Sequence, residues 1–219
     1  MKILIMLLWF FSVSCFAKGH ETHKVLNYVD KVVNNNKFDH VFKLNEDKHS
    51  IYVNRYVLKA LCGIESGLNP RAISSEGALG LCQIIPSTWK YIKGKNKNIS
   101  ISSVGYFDAN QSVKVAKHLL LDLRNVFSQM PDNRNTLDIV LSSYNAGPYN
   151  IQKAMKLCHS ENYDKFKSCL GKVTSKSNAK QTTDHVDRVE VLASILEDRD
   201  DLIKQPKENK NEHTTNRRR

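Results

Sequence analysis

Glu65 is a carboxylate at the end of an apolar run, within the stretch IESGLNPRAISSEGALGLCQIIP (residues 64–86), and a serine- and glycine-rich loop follows it. Near a helix C-terminus a carboxyl group meets the negative end of the helix dipole. An apolar face behind it also withdraws it from water. Both effects favour the protonated form, although a free glutamic acid ionises near pH ~4.3. The spacing therefore suits a general acid that holds its proton until a reacting group arrives. Glu76, the other acid in this stretch, falls in the loop and reads as a solvated turn residue. Cys62, Cys82, Cys158 and Cys169 offer no paired C-x₂-C spacing with histidines to match, so neither a metal site nor a cofactor is expected.

The elements that must position Glu65 are helical. Val53, Val57, Ala60, Leu61 and Ile64 recur at helical spacing, and Asn69-Pro70 is expected to end that run. A helix is expected to open at Pro86, and a longer one after Asp108, with Gln111 completing a capping box. Its core face would be Val113, Ala116, Leu119, Leu120, Leu123, Phe127 and Met130. TLDIVLSSYNAG (136–147) predicts a helix stopped by Gly147, with Pro148 opening the next. A short piece over Tyr163–Leu170 and a last helix from Asp184 to Leu202 complete the pattern, after an early patch of Val25, Val29 and Val32. No alternation of period two is sustained. The fold class expected is mostly α, with at most a short β-hairpin over Ala72–Gly80.

The first residues, MKILIMLLWFFSVSCFAKGH, have the pattern of a secretory signal peptide cleaved after Ala17, with lipidation of Cys15 as the lesser alternative. The expected organisation is a signal peptide at 1–17, a polar and partly helical extension at 18–50, a domain at 51–203 and a basic disordered tail at 204–219. No membrane span is expected after cleavage. Four cysteines in an oxidising compartment allow three pairings. The pairs nearest in sequence, Cys62 with Cys82 and Cys158 with Cys169, are the expectation, and four small buried hydrophobes are the alternative. The formal net charge of +11 favours a polyanionic surface or cell-wall target. Nucleic acid is not the expected partner, because the basic residues are scattered except in the tail.

Three motifs in one order, Glu65-Ser66, then Gly80-Leu81-Cys82-Gln83, then Tyr144-Asn145-Ala146-Gly147, resemble the soluble lytic transglycosylase (SLT) domain, a goose-type-lysozyme-like branch of the lysozyme superfamily. The resemblance runs from about Ile51 to Leu196. It implies a lysozyme-like helical domain in which Glu65 is the sole catalytic acid/base. Ser74 would lie near its carboxylate, Gln83 and Ile85 would line a sugar groove, Tyr144 and Asn145 would close the site, and Ser66 would make a local structural contact. The chain departs from the family at three places: Cys82 stands where methionine is usual, Ala109 and Ser112 replace a proline and an asparagine, and His185 takes the place of a tyrosine that walls the glutamate pocket. His185, Trp89 and Tyr91 read as structure, with Trp89 a candidate surface for stacking a sugar.

What the resemblance implies chemically is cleavage of the peptidoglycan glycan strand between N-acetylmuramic acid and N-acetylglucosamine. The sugar's own 2-acetamido group would substitute for a second carboxylate, and the product would carry a 1,6-anhydromuramyl end. The alternatives are a hydrolytic muramidase and a non-catalytic peptidoglycan-binding accessory. The setting expected is the periplasm or cell envelope. There the basic tail would dock either an envelope-spanning secretion or conjugation machine or an anionic polymer.

Overall fold

The computed structural model describes residues 28–97 and 99–204; the expected signal peptide, with Cys15, and the tail beyond Lys204 lie outside the described residues. Helical residues 28–33 lead into α1 (Asp39–Asn45), α2 (Arg55–Ser66), α3 (Pro86–Lys95), α4 (Ala109–Val126), α5 (Arg134–Ala146), α6 (Pro148–Cys158), α7 (Tyr163–Phe166), α8 (Leu170–Val173) and α9 (Lys176–Lys204). The expected hairpin is reduced to isolated antiparallel bridges, Ile73 with Leu79 and Leu79 with Ile84, that close the loop between α2 and α3. No described helix is long and apolar enough to cross a membrane.

α2 is the central element. Every residue from Val57 to Gly63 is buried, so the helix is enclosed on all sides rather than amphipathic. Asn54 starts it by accepting the Tyr56 and Val57 N–H groups, both at 3.0 Å. It stops at Gly67, in the left-handed region at φ 64°, whose N–H reaches Gly63 O. The stop therefore precedes Asn69-Pro70, because the cap geometry acts before the proline can. Lys59 is buried too, and its ammonium meets Asp39 of α1 at 2.5 Å. Burial pulls that lysine below its usual range, and the Asp39 carboxylate opposes the shift.

Val32, Phe38, Val41 and Phe42 belong to the same core, so residues 28–45, counted above with the polar extension, pack onto the domain. α9 lies along α2 and buries Val186, Val189, Leu192 and Leu196 against the core. It begins at Lys176, eight residues before the expected start at Asp184. Its first two turns have polar side chains with little apolar content, so periodicity gave no sign of them. Asp108 caps α4 by accepting the Gln111 N–H at 2.8 Å, but the capping box is half made. The Gln111 side chain accepts the Ser102 N–H instead of returning to Asp108.

Both expected disulfides are formed, Cys62–Cys82 and Cys158–Cys169. The first ties α2, one turn before Glu65, to the loop carrying Gln83, and it explains why Cys82 occupies a methionine position. It closes a loop of 20 residues, worth about 3 kcal/mol in the chain-entropy account. The Cys62→Ala/Cys82→Ala protein should lose stability of that order in denaturant titration. Loss below about 1 kcal/mol would show that the crosslink constrains little.

Candidate active site

A cleft of about 1110 Å³ runs across the face formed by the end of α2, the following loop, α5 and the start of α9. Glu65, Ser74, Gln83, Ile85, Tyr144 and Asn145 all line it. Ser66 does not; its hydroxyl donates to Leu81 O at 2.6 Å and fastens the end of α2 to the loop below the cleft.

The walls are built from side chains that are largely committed to the fold. Ser74 Oγ accepts the Ala78 N–H at 3.0 Å, which shapes the turn at the cleft rim. Gln83 has a positive φ of 51°. Its Nε2 donates to Gly80 O at 2.9 Å and Ala72 O at 3.2 Å, which turns the residue into a brace for the loop. Tyr144 donates its phenol to Cys82 O at 2.7 Å. Burial, with the nearby Glu65 charge, pushes that phenol well above its usual range, so it stays a donor. Asn145 Oδ1 accepts from Thr182 Oγ1 at 2.9 Å, joining α5 to α9 across one end of the cleft. Ile85 is 42 % exposed and offers the cleft an apolar edge.

Ser112 has an internal role that its sequence position did not suggest. It is fully buried, and its hydroxyl accepts the Cys82 N–H at 3.1 Å. Trp89 is not a sugar-stacking surface. It is 1 % exposed, donates Nε1–H to Ser102 O at 2.9 Å, and packs against Tyr106 with ring centroids 4.9 Å apart.

His185, read from the sequence as structure at the wall of the glutamate pocket, touches the acid directly. Its Nε2 lies 3.0 Å from Glu65 Oε1, with the two side chains 6 % and 18 % exposed. The substitution of a titratable ring for the family's tyrosine was visible in the sequence. Its contact, across 120 residues, arises only once α9 is laid along α2. Glu76 also lines the cleft, where the Ser75 hydroxyl donates to it at 2.7 Å and holds its carboxyl below the usual range.

Chemically, the arrangement offers one partly enclosed carboxyl group at the wall of an open cleft lined largely by polar residues. It suits proton transfer to and from a bound ligand. The fold resembles two solved structures. One is the 70 kDa soluble lytic transglycosylase SLT70 from Escherichia coli, with a TM-score of 0.57 and 20 % identity over 73 % of this chain and 24 % of that one. The other is an inactive mutant of the lytic transglycosylase Slt from Pseudomonas aeruginosa, with a TM-score of 0.56 and 20 % identity over 68 % of this chain and 22 % of that one. The chain thus spans about a quarter of the length of these structures. The mostly helical, lysozyme-like architecture is common to all three. The family model described as the transglycosylase SLT domain matches residues 43–167, more than half of the sequence and the whole run from α2 to α7, and the chain belongs to that family.

Proposed function

We propose that the protein is a peptidoglycan lytic transglycosylase that cuts the β-1,4 bond between N-acetylmuramic acid and N-acetylglucosamine and leaves 1,6-anhydromuramyl ends. The observation that carries this reading is the placement of Glu65. It is a partly enclosed carboxyl at the end of a helix buried from Val57 to Gly63, opening onto a cleft with about 1110 Å³ of space, in a chain of the SLT family.

In the proposed reaction Glu65 gives its proton to the glycosidic oxygen as the bond to the anomeric carbon breaks. The 2-acetamido group of the same sugar supports that carbon. The Glu65 carboxylate then takes the proton of the C6 hydroxyl, whose oxygen bonds to the anomeric carbon. One group acts first as acid and then as base, and the intramolecular attack benefits from proximity. Ser74, Gln83, Ile85, Tyr144 and Asn145 hold the glycan in place, and Ser66 and the Cys62–Cys82 crosslink fix the loop that carries the first three.

The test is mass spectrometry of a peptidoglycan digest. Anhydro-ended fragments, each lighter by one water than their reducing counterparts, are the expected product. Reducing ends alone would replace this reading with hydrolysis, a second reading favoured by one observation: the ionised Glu76 on the same cleft could activate water. Export to the periplasm or cell envelope fits a wall substrate, the two disulfides and the apolar leader. The role we assign is local opening or remodelling of the wall. Docking to a secretion or conjugation machine would fall to the tail, whose six lysines and arginines face two glutamates.

A further inference from the structure

We propose that His185 is a positioning residue for Glu65: its Nε2–H donates to Oε1 throughout turnover, so the transferable proton resides on Oε2, facing the cleft. This rests on the reading of Glu65 as the acid, and extends it to where the acid proton sits and what stabilises the carboxylate left behind.

Two observations carry it. The first is the 3.0 Å contact between Nε2 and Oε1, with both side chains mostly enclosed. The second is the other ring nitrogen: Nδ1 is buried and has no partner among the described residues. A proton on Nδ1 would bury an N–H donor with nothing to receive it, and an imidazolium would bury a charged one, which costs more. The ring is therefore neutral, with its proton on Nε2. That proton has one acceptor, Oε1. A carboxyl group held at Oε1 presents Oε2 to the substrate. When Oε2 yields its proton, the Nε2–H bond becomes charge-assisted and strengthens as the negative charge develops. When Oε2 recovers a proton from the C6 hydroxyl, the bond relaxes. The imidazole gains and loses no proton in the cycle.

The surroundings agree. From α5, Tyr144 faces the pair with its phenol committed to Cys82 O. From helical residues 28–33, Tyr28 donates to Gly63 O. On α9 itself, Arg188 lies over the Tyr28 ring at 5.4 Å. Asp184, the neighbouring acid, is paired with Lys180.

The experiment compares the full chain with two variants on insoluble peptidoglycan, scoring total glycan cleavage whatever the product. His185→Phe keeps the bulk and removes the donor. Its kcat should fall about 10²-fold, the scale of losing one preorganised donor, with KM little changed. His185→Gln supplies an N–H that does not titrate. It should recover most of that loss. A Phe variant with wild-type kcat, or a Gln variant as impaired as Phe, would overturn the proposal. Imidazole ¹⁵N NMR of the free protein at neutral pH decides the same point without any turnover: a protonated Nε2 and bare Nδ1 are expected, and the reverse tautomer or an imidazolium refutes it. If the wild type cleaves nothing, or leaves only reducing ends, the proposed function falls while the NMR outcome still judges His185.

Discussion

Glu65→Gln should lower glycan cleavage by about 10³-fold, within the range that a positioned acid/base contributes, while the unfolding midpoint moves by less than about 3 °C. The amide has the shape of the carboxyl group, and its oxygen can still accept from His185 Nε2, so no buried polar atom loses its partner. What it lacks is a transferable proton and, in the second half of the reaction, a base. Binding should survive, because the cleft walls are separately anchored through Ser74, Gln83, Tyr144 and Asn145. The variant should therefore still sediment with insoluble peptidoglycan. Digest kinetics and calorimetry on the same preparation check both halves of the expectation. A variant that cuts at the wild-type rate would remove Glu65 from the chemistry. One that fails to fold would mean the pair with His185 is structural first.

Gly80→Ala should be the most damaging small substitution in the cleft loop. Gly80 has φ +77°, and a Cβ there would lie 2.0 Å from the Tyr106 carbonyl oxygen and 3.1 Å from its carbon. The obstacle is backbone and cannot swing aside, so the loop or the Tyr106 segment must move. The left-handed conformation adds about 1–2 kcal/mol for any residue with a Cβ, and displacing packed backbone adds about 1–3 kcal/mol. A total near 4 kcal/mol, or a fall of roughly 10 °C in Tm for a domain of this size, is the expected result. Activity should fall further than stability alone implies, because Gly80 O receives Gln83 Nε2 and the Gly80 N–H donates to Ala72 O at 2.9 Å. Gly77→Ala is the control. It shares a positive φ of +79° but has nothing within 4 Å of the added atom, so it should show only the conformational cost. Equal losses in the two variants would show that the contact with Tyr106 is unimportant.

Much of this architecture could be read from the chain before any coordinates. The α2 run, the Gly147 stop with Pro148 after it, and both cysteine pairs were local patterns, and local patterns fix local structure. The reading failed where a residue's surroundings come from elsewhere in the chain. Residues 176–183 carry no apolar periodicity because several of them line the cleft, so nothing advertised two turns of helix. Trp89, read as structure with a carbohydrate platform as the lesser alternative, keeps only the first role, because its indole N–H finds Ser102 O and the ring disappears into the core. His185 looked like a simple departure from a tyrosine. Its meaning depends on Oε1 of a residue 120 positions earlier, and on a buried Nδ1 with no hydrogen-bond partner among the described residues, which no sequence pattern displays.

The extent of α9 bears on what counts as the minimal working unit. The matched segment ends at residue 167, before this helix begins, yet Val186, Val189, Leu192 and Leu196 are all but excluded from water. A fragment trimmed to those limits would strip the roof from α2, bare a greasy seam along its flank and delete the imidazole beside Glu65. Anyone grafting or shortening this catalytic module must therefore keep the chain through at least Leu196.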